Sequence, residues 1–501
     1  MKDIIIIGGG LGGLFTAALL AKEGQHVTVL EKNATAGGGL QSFSRFGERF
    51  DTGMHVIGGM QPGGNIRRIC QYLGIADRVQ LMDVDDDCTD SLYFAEDRTT
   101  YRLRKGREGF VDSLAEYFPH ERENLRAYVY AVFAIADAAE IFNLRPSHEL
   151  FHERPADFFM AADAFIAKYL ADPRLRSVVA YTNPLYGGRG DETPAYVHAI
   201  ITALYIEGTS RFVGGSSRFA DLLVSVIREH GGQVLTREAV ERVEVDASRH
   251  VQYVRTRSGH EYRADWYISA IHPCTLLQLL PATAFPKAYR DRLNSIPNSY
   301  SAFSVYIKLK PRSFRYINHS EYYMTRYDKV WSFGEPPARW PLGFLFMTPP
   351  AEGQGEYART VLLTAPMLYS ETARWEQTTV GRRGADYEAW KEEKTRQLMV
   401  AIEELHPGFA DCVDRICTAS PLTIRDFYGV KEGAMCGFSK DYKNLVLSQV
   451  PVATKVKNLL LTGQNNNLHG FCGVPLTAIT TAEAILGRNV ILEKISKSQD
   501  I

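Results

Sequence analysis

Residues 4–13 have the sequence Ile-Ile-Ile-Ile-Gly-Gly-Gly-Leu-Gly-Gly, and this stretch decides the fold. The β-branched run predicts a parallel strand covered on both faces, and the glycines directly after it predict a tight turn. Residues 11–23 are rich in Ala and Leu and predict a helix that ends at Gly24, before a second apolar strand at residues 27–30. Together these elements form one βαβ unit.

Three glycines of the turn match G-x-G-x-x-G, a dinucleotide-binding pattern when it lies between a strand and a helix. Gly8 permits the turn, Gly10 lets backbone N–H groups approach a pyrophosphate, and Gly13 lets the helix pack closely on the strand. The phosphates are then expected at the positive end of the helix. Glu31, at the end of the second strand, is placed to accept hydrogen bonds from the adenosine ribose. The pattern by itself does not distinguish NAD from FAD.

The residues after the second strand favour FAD. Glu31-Lys32-Asn33 leads into Gly37-Gly38. Paired glycines at this place occur in a large class of flavoproteins, where they let the chain pass close to the cofactor phosphates. The sequence has no second G-x-G-x-x-G, so we predict no separate Rossmann-type site for NAD(P)H, and the electron partner stays open.

Length and composition describe a globular protein of more than one domain. The chain has 501 residues, 45% of them hydrophobic, and a formal net charge of -1. No run of like charges suggests a nucleic-acid partner. The seven cysteines are scattered without a CxxC pair, so we predict no metal site and a reducing, cytoplasmic setting. No signal peptide and no apolar run of about 18 residues is visible.

The pattern along the chain predicts an α/β fold built from two discontinuous domains. We assign 1–80, 208–290 and 435–492 to a Rossmann-type FAD-binding domain, because these segments carry the strand, glycine and helix patterns. The inserted segments, 81–207 and 291–434, are assigned to a mixed α+β substrate domain. The first insert is expected to be largely helical.

Inside the second insert, alternating apolar residues predict antiparallel strands, and a longer period predicts one helix. The strands are expected at 302–309, 342–347 and 360–363, and the helix at 387–405.

Several segments resemble the phytoene desaturase, carotenoid isomerase and retinol saturase superfamily, and the Phe-Asp-Thr-Gly-x-His stretch at residues 50–55 is closest to the retinol-saturase-like branch. Two departures stand out: His272 replaces an Asn common among relatives, and residues 465–469 form an unusual polar stretch that we expect to face the substrate. The resembling segments are 30–33, 37–38, 42–43, 50–55, 214–215, 268–270, 420–423 and 459–474.

The resemblance implies an FAD-dependent oxidoreductase with an amine-oxidase/phytoene-desaturase-like fold. It places the backbone of Val240 at the adenine. It places Gly463, Gln464, Gly473 and Val474 at the flavin, with a helix beginning near Gly473 whose N-terminus faces the N1/C2 side of the ring.

The resemblance also implies hydride exchange between flavin N5 and a carbon–carbon bond of a hydrophobic polyene or isoprenoid-like substrate, by saturation, desaturation or reduced-flavin isomerisation. Saturation needs a proton donor as well. The candidates are His55, Tyr186, His198 and His469, with His55 first because it lies in the distinguishing stretch. For each of them, a hydrogen-bonded core residue is the more common role of such a side chain. Candidates for an apolar substrate tunnel are Phe158, Phe159, Tyr181 and Tyr205, and Cys472 is a candidate neighbour of the flavin.

Two other functions fit the same motifs. An amine-oxidase-like flavoenzyme would share the nucleotide fold and oxidise a C–N bond. A non-catalytic protein would hold flavin and lipid without turning the lipid over. For the leading hypothesis, the apolar substrate class also leads us to expect peripheral contact with a membrane.

Overall fold

The computed structural model describes residues 1–146 and 153–497. Their strands are β1 (Asp3–Ile7), β2 (His26–Glu31), β3 (Ser42–Arg45), β4 (Glu48–Asp51), β5 (Val56–Gly58), β6 (Leu81–Asp83), β7 (Asp90–Phe94), β8 (Thr99–Leu103), β9 (Thr209–Phe212), β10 (Gln233–Thr236), β11 (Val240–Val245), β12 (Val251–Thr256), β13 (Glu261–Tyr262), β14 (Trp266–Ser269), β15 (Ser301–Leu309), β16 (Ser320–Met324), β17 (Gly343–Met347), β18 (Thr360–Met367), β19 (Val413–Ala419) and β20 (Leu459–Leu461). The helices are α1 (Leu11–Lys22), α2 (Asn65–Leu73), α3 (Arg107–Ala115), α4 (Arg122–Asp137), α5 (Ala162–Tyr169), α6 (Pro173–Val179), α7 (Ala195–Glu207), α8 (Ser217–Glu229), α9 (Pro273–Leu279), α10 (Lys287–Ser295), α11 (Ala385–Leu405), α12 (Phe409–Cys412), α13 (Pro421–Tyr428), α14 (Leu445–Ser448), α15 (Gly470–Leu486) and α16 (Val490–Lys497).

A parallel sheet of five strands, in the order β10-β2-β1-β14-β20, is built around the predicted βαβ unit. The strands come from chain segments far apart in sequence, and their carboxyl ends meet at one edge. Ligands of open α/β sheets bind at such an edge. The predicted Rossmann-type architecture is confirmed.

The isoleucines of β1 alternate between two apolar cores. Ile4 and Ile6 pack on the side of the helices α1, α8 and α15, whereas Ile5 and Ile7 pack on the opposite side with the small sheet β11-β12-β13. All four side chains are buried. Each contributes about 1.5–3 kcal/mol by burial, so the two cores hold the central strand rigidly beneath the glycine turn.

A mixed sheet of seven strands, in the order β19-β15-β18-β17-β16-β7-β8, is built from the two inserted segments, and five of its strands come from the second insert. The predicted strands and the long helix of that insert are confirmed as β15, β17, β18 and α11. The first insert is less helical than predicted, because β7 and β8 join this sheet. Strand β7 pairs with β16, more than 200 residues away, and local periodicity does not reveal such a partner.

A three-stranded sheet, β5-β9-β6, connects the two regions. Strand β9 follows α7 and pairs antiparallel with both β5 and β6. Since β6 lies in a segment assigned to the substrate domain and β5 and β9 lie in the other, this sheet crosses the predicted boundary. The division into two domains stays a prediction.

Helix α15 packs against α1 and is mostly buried. Within the part of the chain that the structure describes, no single helix has the length and apolar composition of a membrane span. Helices α15 and α16 meet those criteria only as a pair, and a bend of 119° separates them.

Candidate cofactor and active site

A cavity of about 940 Å³ opens at the carboxyl edge of the parallel sheet and extends toward the seven-stranded sheet. This volume is at the upper end for ligand sites in proteins. One half, which we call the strand-end half, is lined by residues after β1, β2, β14 and β20. The other half, which we call the apolar half, is lined by Ile201, Leu204, Tyr205, Tyr322, Met324, Phe344, Leu345 and Met347.

The glycines of the turn are required by close backbone packing. A Cβ atom on Gly13 would lie 2.0 Å from the carbonyl oxygen of Gly8, and one on Gly38 would lie 2.9 Å from the Cα of Gly10. The cavity is lined by Gly8, Gly10 and Gly38, whereas Gly13 and Gly37 lie outside its lining. The sequence motif did not single out Gly12, yet a Cβ there would lie 2.9 Å from the Cα of Gly463.

Glu31 lies at the end of β2 in the lining of the strand-end half. Its carboxylate accepts hydrogen bonds of 2.8 Å from the backbone N–H groups of Gly9 and Asn33, one on each oxygen. A carboxylate has about four acceptor positions, so both oxygens retain capacity for a ligand. This geometry fits the ribose contact predicted for Glu31.

Lys32 and Val240 line the same half. The Lys32 ammonium donates to the Asp426 carbonyl over 2.7 Å, and burial lowers its pKa. Val240 begins β11, next to Glu238 and Arg257 in the lining, as the predicted adenine contact requires.

Two helices begin at the cavity without a side-chain cap. Gly10 and His469 are the N-cap residues of α1 and α15, and neither makes a capping hydrogen bond. Free N–H groups at a helix N-terminus attract anionic ligand groups. The site therefore fits FAD: the N-terminus of α1 would hold its pyrophosphate, and the N-terminus of α15 would stabilise negative charge on its ring.

The structure corrects the start of α15, which is Gly470 rather than the predicted Gly473. Gly473 lies inside the helix. Glycine is required at this position because a Cβ would come within 2.3 Å of Leu468. Gly463, Gln464 and Val474 line the cavity, and Gly473 supports the loop behind them.

His55 and His469 are the two proton-donor candidates that line the cavity. In each ring one nitrogen, Nδ1 of His55 and Nε2 of His469, lacks a partner among the described residues. Burial lowers both pKa values to about 3, and the positive charges of Arg211 and Lys440 act in the same direction on His55 and His469 respectively. Both imidazoles are thus neutral at physiological pH and suit hydrogen bonding better than proton donation.

Tyr186 and His198 lie outside the lining, in a buried network with Tyr128. The Tyr128 hydroxyl is 2.7 Å from Nε2 of His198, and the Tyr186 hydroxyl is 3.0 Å from Nδ1. Both His198 nitrogens therefore have partners in the core. The arrangement accounts for Tyr186 and His198 as packing residues.

The His198 network predicts a specific acid sensitivity. Burial lowers the pKa of His198 from 6.5 to about 3, so below pH 6.5 the unfolded chain binds a proton that the folded protein does not. Its contribution to stability is complete above pH 6.5 and is lost as the pH falls toward 3. At pH 5 the loss is about 2 kcal/mol.

We expect His198→Gln, which retains hydrogen-bonding groups for both tyrosines, to remove this loss of stability at low pH. The difference in unfolding free energy between pH 7 and pH 5, measured by urea denaturation, should be about 2 kcal/mol smaller than in the parent protein. An unchanged difference would contradict the buried neutral histidine.

The predicted aromatic tunnel is partly present. Tyr205 lines the apolar half, and Tyr181 lies directly behind it, whereas Phe158 stacks on Tyr196 outside the lining and Phe159 is 46% exposed. Sequence reasoning missed Tyr322 and the β17 residues, since the pairing of β16 with β7, which is distant in sequence, and of β17 with β16 and β18 brings them to the cavity.

Cys472 lines the cavity near the start of α15. Burial raises the pKa of its thiol to about 12, so the group stays protonated. The residue acts as a small neutral side chain beside the expected flavin ring.

The polar stretch at 465–469 is partly engaged with the protein itself. The Asn465 side-chain oxygen accepts from the Phe438 N–H over 2.9 Å, and the Asn466 amide donates to the Val450 carbonyl over 2.9 Å. Asn465 and His469 also line the cavity, as expected for part of this stretch. His272 accepts from the Cys274 N–H at the start of α9 and lies 3.0 Å from Asn298, which gives it a local structural role.

The profile of a known family, described as flavin containing amine oxidoreductase, matches residues 11–417. The chain belongs to this family. With the nucleotide turn, the uncapped helix ends and the large cavity, the match identifies an FAD-dependent oxidoreductase.

Individual relatives agree along nearly the whole chain. The human all-trans-retinol 13,14-reductase is 28% identical over 97% of this chain and 86% of its own length. The chloroplastic prolycopene isomerase of Arabidopsis thaliana is 24% identical over 100% of this chain and 85% of its own. The solved structure of an oxidoreductase from Methanosarcina mazei has a TM-score of 0.64 at 17% identity, covering 96% of this chain and 100% of that one. The two sequence relatives fit the superfamily resemblance, and the solved structure supports the fold.

Proposed function

We propose that this enzyme exchanges a hydride with a carbon–carbon bond of a polyene or isoprenoid-like substrate. The observation that carries the proposal is the continuity of one cavity from the nucleotide turn to an apolar half lined by α7, β16 and β17. The names of the relatives that act on retinol and prolycopene support the same substrate class.

When bound, FAD supplies a hydride donor or acceptor at N5. The protein positions both partners: the strand-end half holds the nucleotide, and the side chains of the apolar half orient an extended hydrocarbon and exclude water. Orientation in a dry pocket is the main contribution that such chemistry requires from the chain.

Amine oxidation is the alternative suggested by the family name. A protonated amine is best recognised by a carboxylate, and the lining residues of α7, β16 and β17 that the structure describes include no Asp or Glu. The apolar half therefore favours a neutral hydrocarbon.

The three candidate functions give different results with one preparation. The protein, anaerobically reduced, is mixed with all-trans-retinol, prolycopene or a primary amine, and products are separated by chromatography with mass detection. We expect flavin reoxidation with a product two hydrogens heavier, or an isomer without net reoxidation, from at least one polyene. Oxidised protein that releases hydrogen peroxide with amines and ignores polyenes would support amine oxidation. Flavin that responds to neither substrate would support a holding protein.

The apolar half is tested by narrowing it. Leu345 is half-buried and lines the cavity, so a larger side chain extends into open space instead of into the packed core. We expect Leu345→Trp to raise the KM for the polyene roughly tenfold or more, as the loss of one well-packed apolar contact does, with an unchanged FAD content.

Val400→Trp is the control, because Val400 is 56% exposed on α11. Equal KM values for Leu345→Trp and the parent protein would contradict substrate binding in the apolar half.

We also propose that the protein contacts membranes peripherally, since polyenes partition into lipid. Flotation with phosphatidylcholine vesicles tests this. Recovery of all the protein in the unbound fraction would remove the proposal.

A further inference from the structure

Asp90, the first residue of β7, is a carboxyl group buried beside the apolar half of the cavity. Its side chain is 1% exposed. One carboxyl oxygen accepts a 3.0 Å hydrogen bond from the Tyr181 hydroxyl, and the other lacks a partner among the described residues. Arg211, whose charge acts on Asp90, directs its guanidinium at the backbone carbonyls of Ile317, His319 and Thr348 instead. Asp90 is therefore a buried carboxyl group without a salt bridge to that cation.

Three tyrosine side chains lie between Asp90 and the cavity. The Tyr181 ring meets Tyr322 edge-on at 5.1 Å and Tyr205 edge-on at 6.4 Å. The hydroxyls of Tyr205 and Tyr322 interact with each other, and both are close enough to Asp90 for its charge to raise their pKa values. Because Tyr205 and Tyr322 line the cavity, the cluster reaches from the interior to the substrate space.

The cluster reaches the end of the cavity where chemistry is expected. The pKa of Tyr205 is also affected by Cys472, in the first turn of α15. That turn is the expected place of the flavin ring. Tyr205 thus lies at the junction of the apolar half and the flavin end.

Asp90 is the group of this cluster that exchanges a proton near neutral pH. Burial raises its pKa to about 7, although Tyr181, Arg211 and Thr89 oppose the rise. Among the other titratable groups around it, burial raises the pKa of Cys88 to about 12 and also raises the pKa values of the three tyrosines. Burial lowers the pKa of Arg211, but a guanidinium group stays charged in proteins. A proton source whose pKa is close to the working pH is the most effective one.

We propose that Asp90, Tyr181, Tyr205 and Tyr322 supply the proton that completes saturation of a carbon–carbon double bond in this cavity. The inference rests on the proposed function and specifies its direction as saturation, with hydride passing to the substrate. Asp90 acts through Tyr181, and a cavity-lining tyrosine, Tyr205 or Tyr322, contacts the substrate.

The step balances as an addition of two hydrogens. One alkene carbon receives a hydride, with both electrons coming from the reduced cofactor. The other carbon forms a C–H bond as the tyrosine O–H bond breaks. The tyrosinate regains a proton from the Asp90 carboxyl through the cluster, and water reprotonates Asp90 after the product leaves.

The first test requires no turnover. Difference infrared spectra of the purified protein across pH 5–9 should contain a protonated-carboxyl band with a midpoint close to pH 7, and Asp90→Asn should lack that band. Absence of the band in the parent protein, or its persistence in Asp90→Asn, would overturn the proposal, whatever the substrate proves to be.

The second test measures polyene reduction by the reduced enzyme. In the parent protein the rate should fall above pH 7, as Asp90 loses its proton. Asp90→Asn and Tyr181→Phe should lower the rate roughly 10- to 100-fold, within the range for general acid catalysis, and remove that pH limb.

Tyr323→Phe is the matched control, since it neighbours Tyr322 on β16, faces the other side of the sheet and donates to Glu404 over 2.8 Å. Its rate and pH profile should match those of the parent. If Asp90→Asn and Tyr181→Phe keep parental rates and pH profiles while the parent reduces polyenes, the proton relay is wrong and the proposed function stands. If the parent protein isomerises a polyene but reduces none, the proton relay is wrong and the proposed function stands. If it neither reduces nor isomerises any polyene, the proposed function fails, and the infrared band still decides the state of Asp90.

Discussion

Gly13→Ala is expected to yield protein without bound FAD. The added methyl group would lie 2.0 Å from the Gly8 carbonyl oxygen, far inside contact distance. The Cβ would be fixed to the backbone of α1 and the carbonyl oxygen belongs to the backbone of the turn, so the overlap moves α1 away from β1 and disrupts the phosphate turn. Overpacking of this kind costs about 3 kcal/mol or more, which corresponds to roughly 100-fold weaker binding.

The ratio of FAD to protein after purification, with cofactor released by denaturation, measures the effect. Gly355→Ala is the control, because an added Cβ there meets no atom within 4 Å. Thermal unfolding with and without added FAD separates loss of binding from loss of folding, since a folded variant that cannot bind gains no stability from the cofactor. Stoichiometric FAD in Gly13→Ala would contradict the close packing.

Replacing Glu31 should have the next largest effect. Glu31→Ala removes the acceptor for two backbone N–H groups and for the expected ribose contact. Hydrogen bonds to charged groups contribute about 1.5–3 kcal/mol each, so we expect FAD affinity to fall at least 100-fold.

Glu31→Gln should be intermediate, because its amide retains one acceptor oxygen but turns a donor toward the second N–H group. Isothermal titration of the cofactor-free protein with FAD measures the affinity of each variant. Glu261→Ala, on the exposed β13 strand, is the control. Parental affinity in Glu31→Ala would show that the carboxylate serves the loop and not the nucleotide.

The nucleotide half of the site was predictable because its determinants are local. The strand, turn and helix lie within about thirty residues. Glycine is needed there for the tight turn and for the close approach of backbone atoms, and one sequence is enough to recognise that pattern. The segments at 463–474 were also found by their glycines. The start of α15 was misplaced because Gly473 serves a packing contact with Leu468, which only the folded loop creates.

The candidate proton donors depend on tertiary surroundings. The sequence favoured His55 by its motif and kept Tyr186 and His198 by residue type, and burial of the latter two in one hydrogen-bonded network outside the cavity lining now separates them from His55. Asp90 drew no attention in the sequence, since an acidic residue followed by Ser91-Leu92-Tyr93-Phe94 matches no catalytic motif.

The sequence by itself determined the βαβ unit, the choice of FAD and the class of oxidoreductase, because those depend on short-range backbone geometry at fixed spacing. Only the tertiary structure decided the shape of the apolar half and the surroundings of Asp90. The pairing of β7 with β16 brings Tyr322 close to Asp90, whereas Tyr181 and Tyr205 come from the helical segment 173–207 and pack against them. A carboxyl group acquires its proton affinity from that burial, which no local pattern encodes.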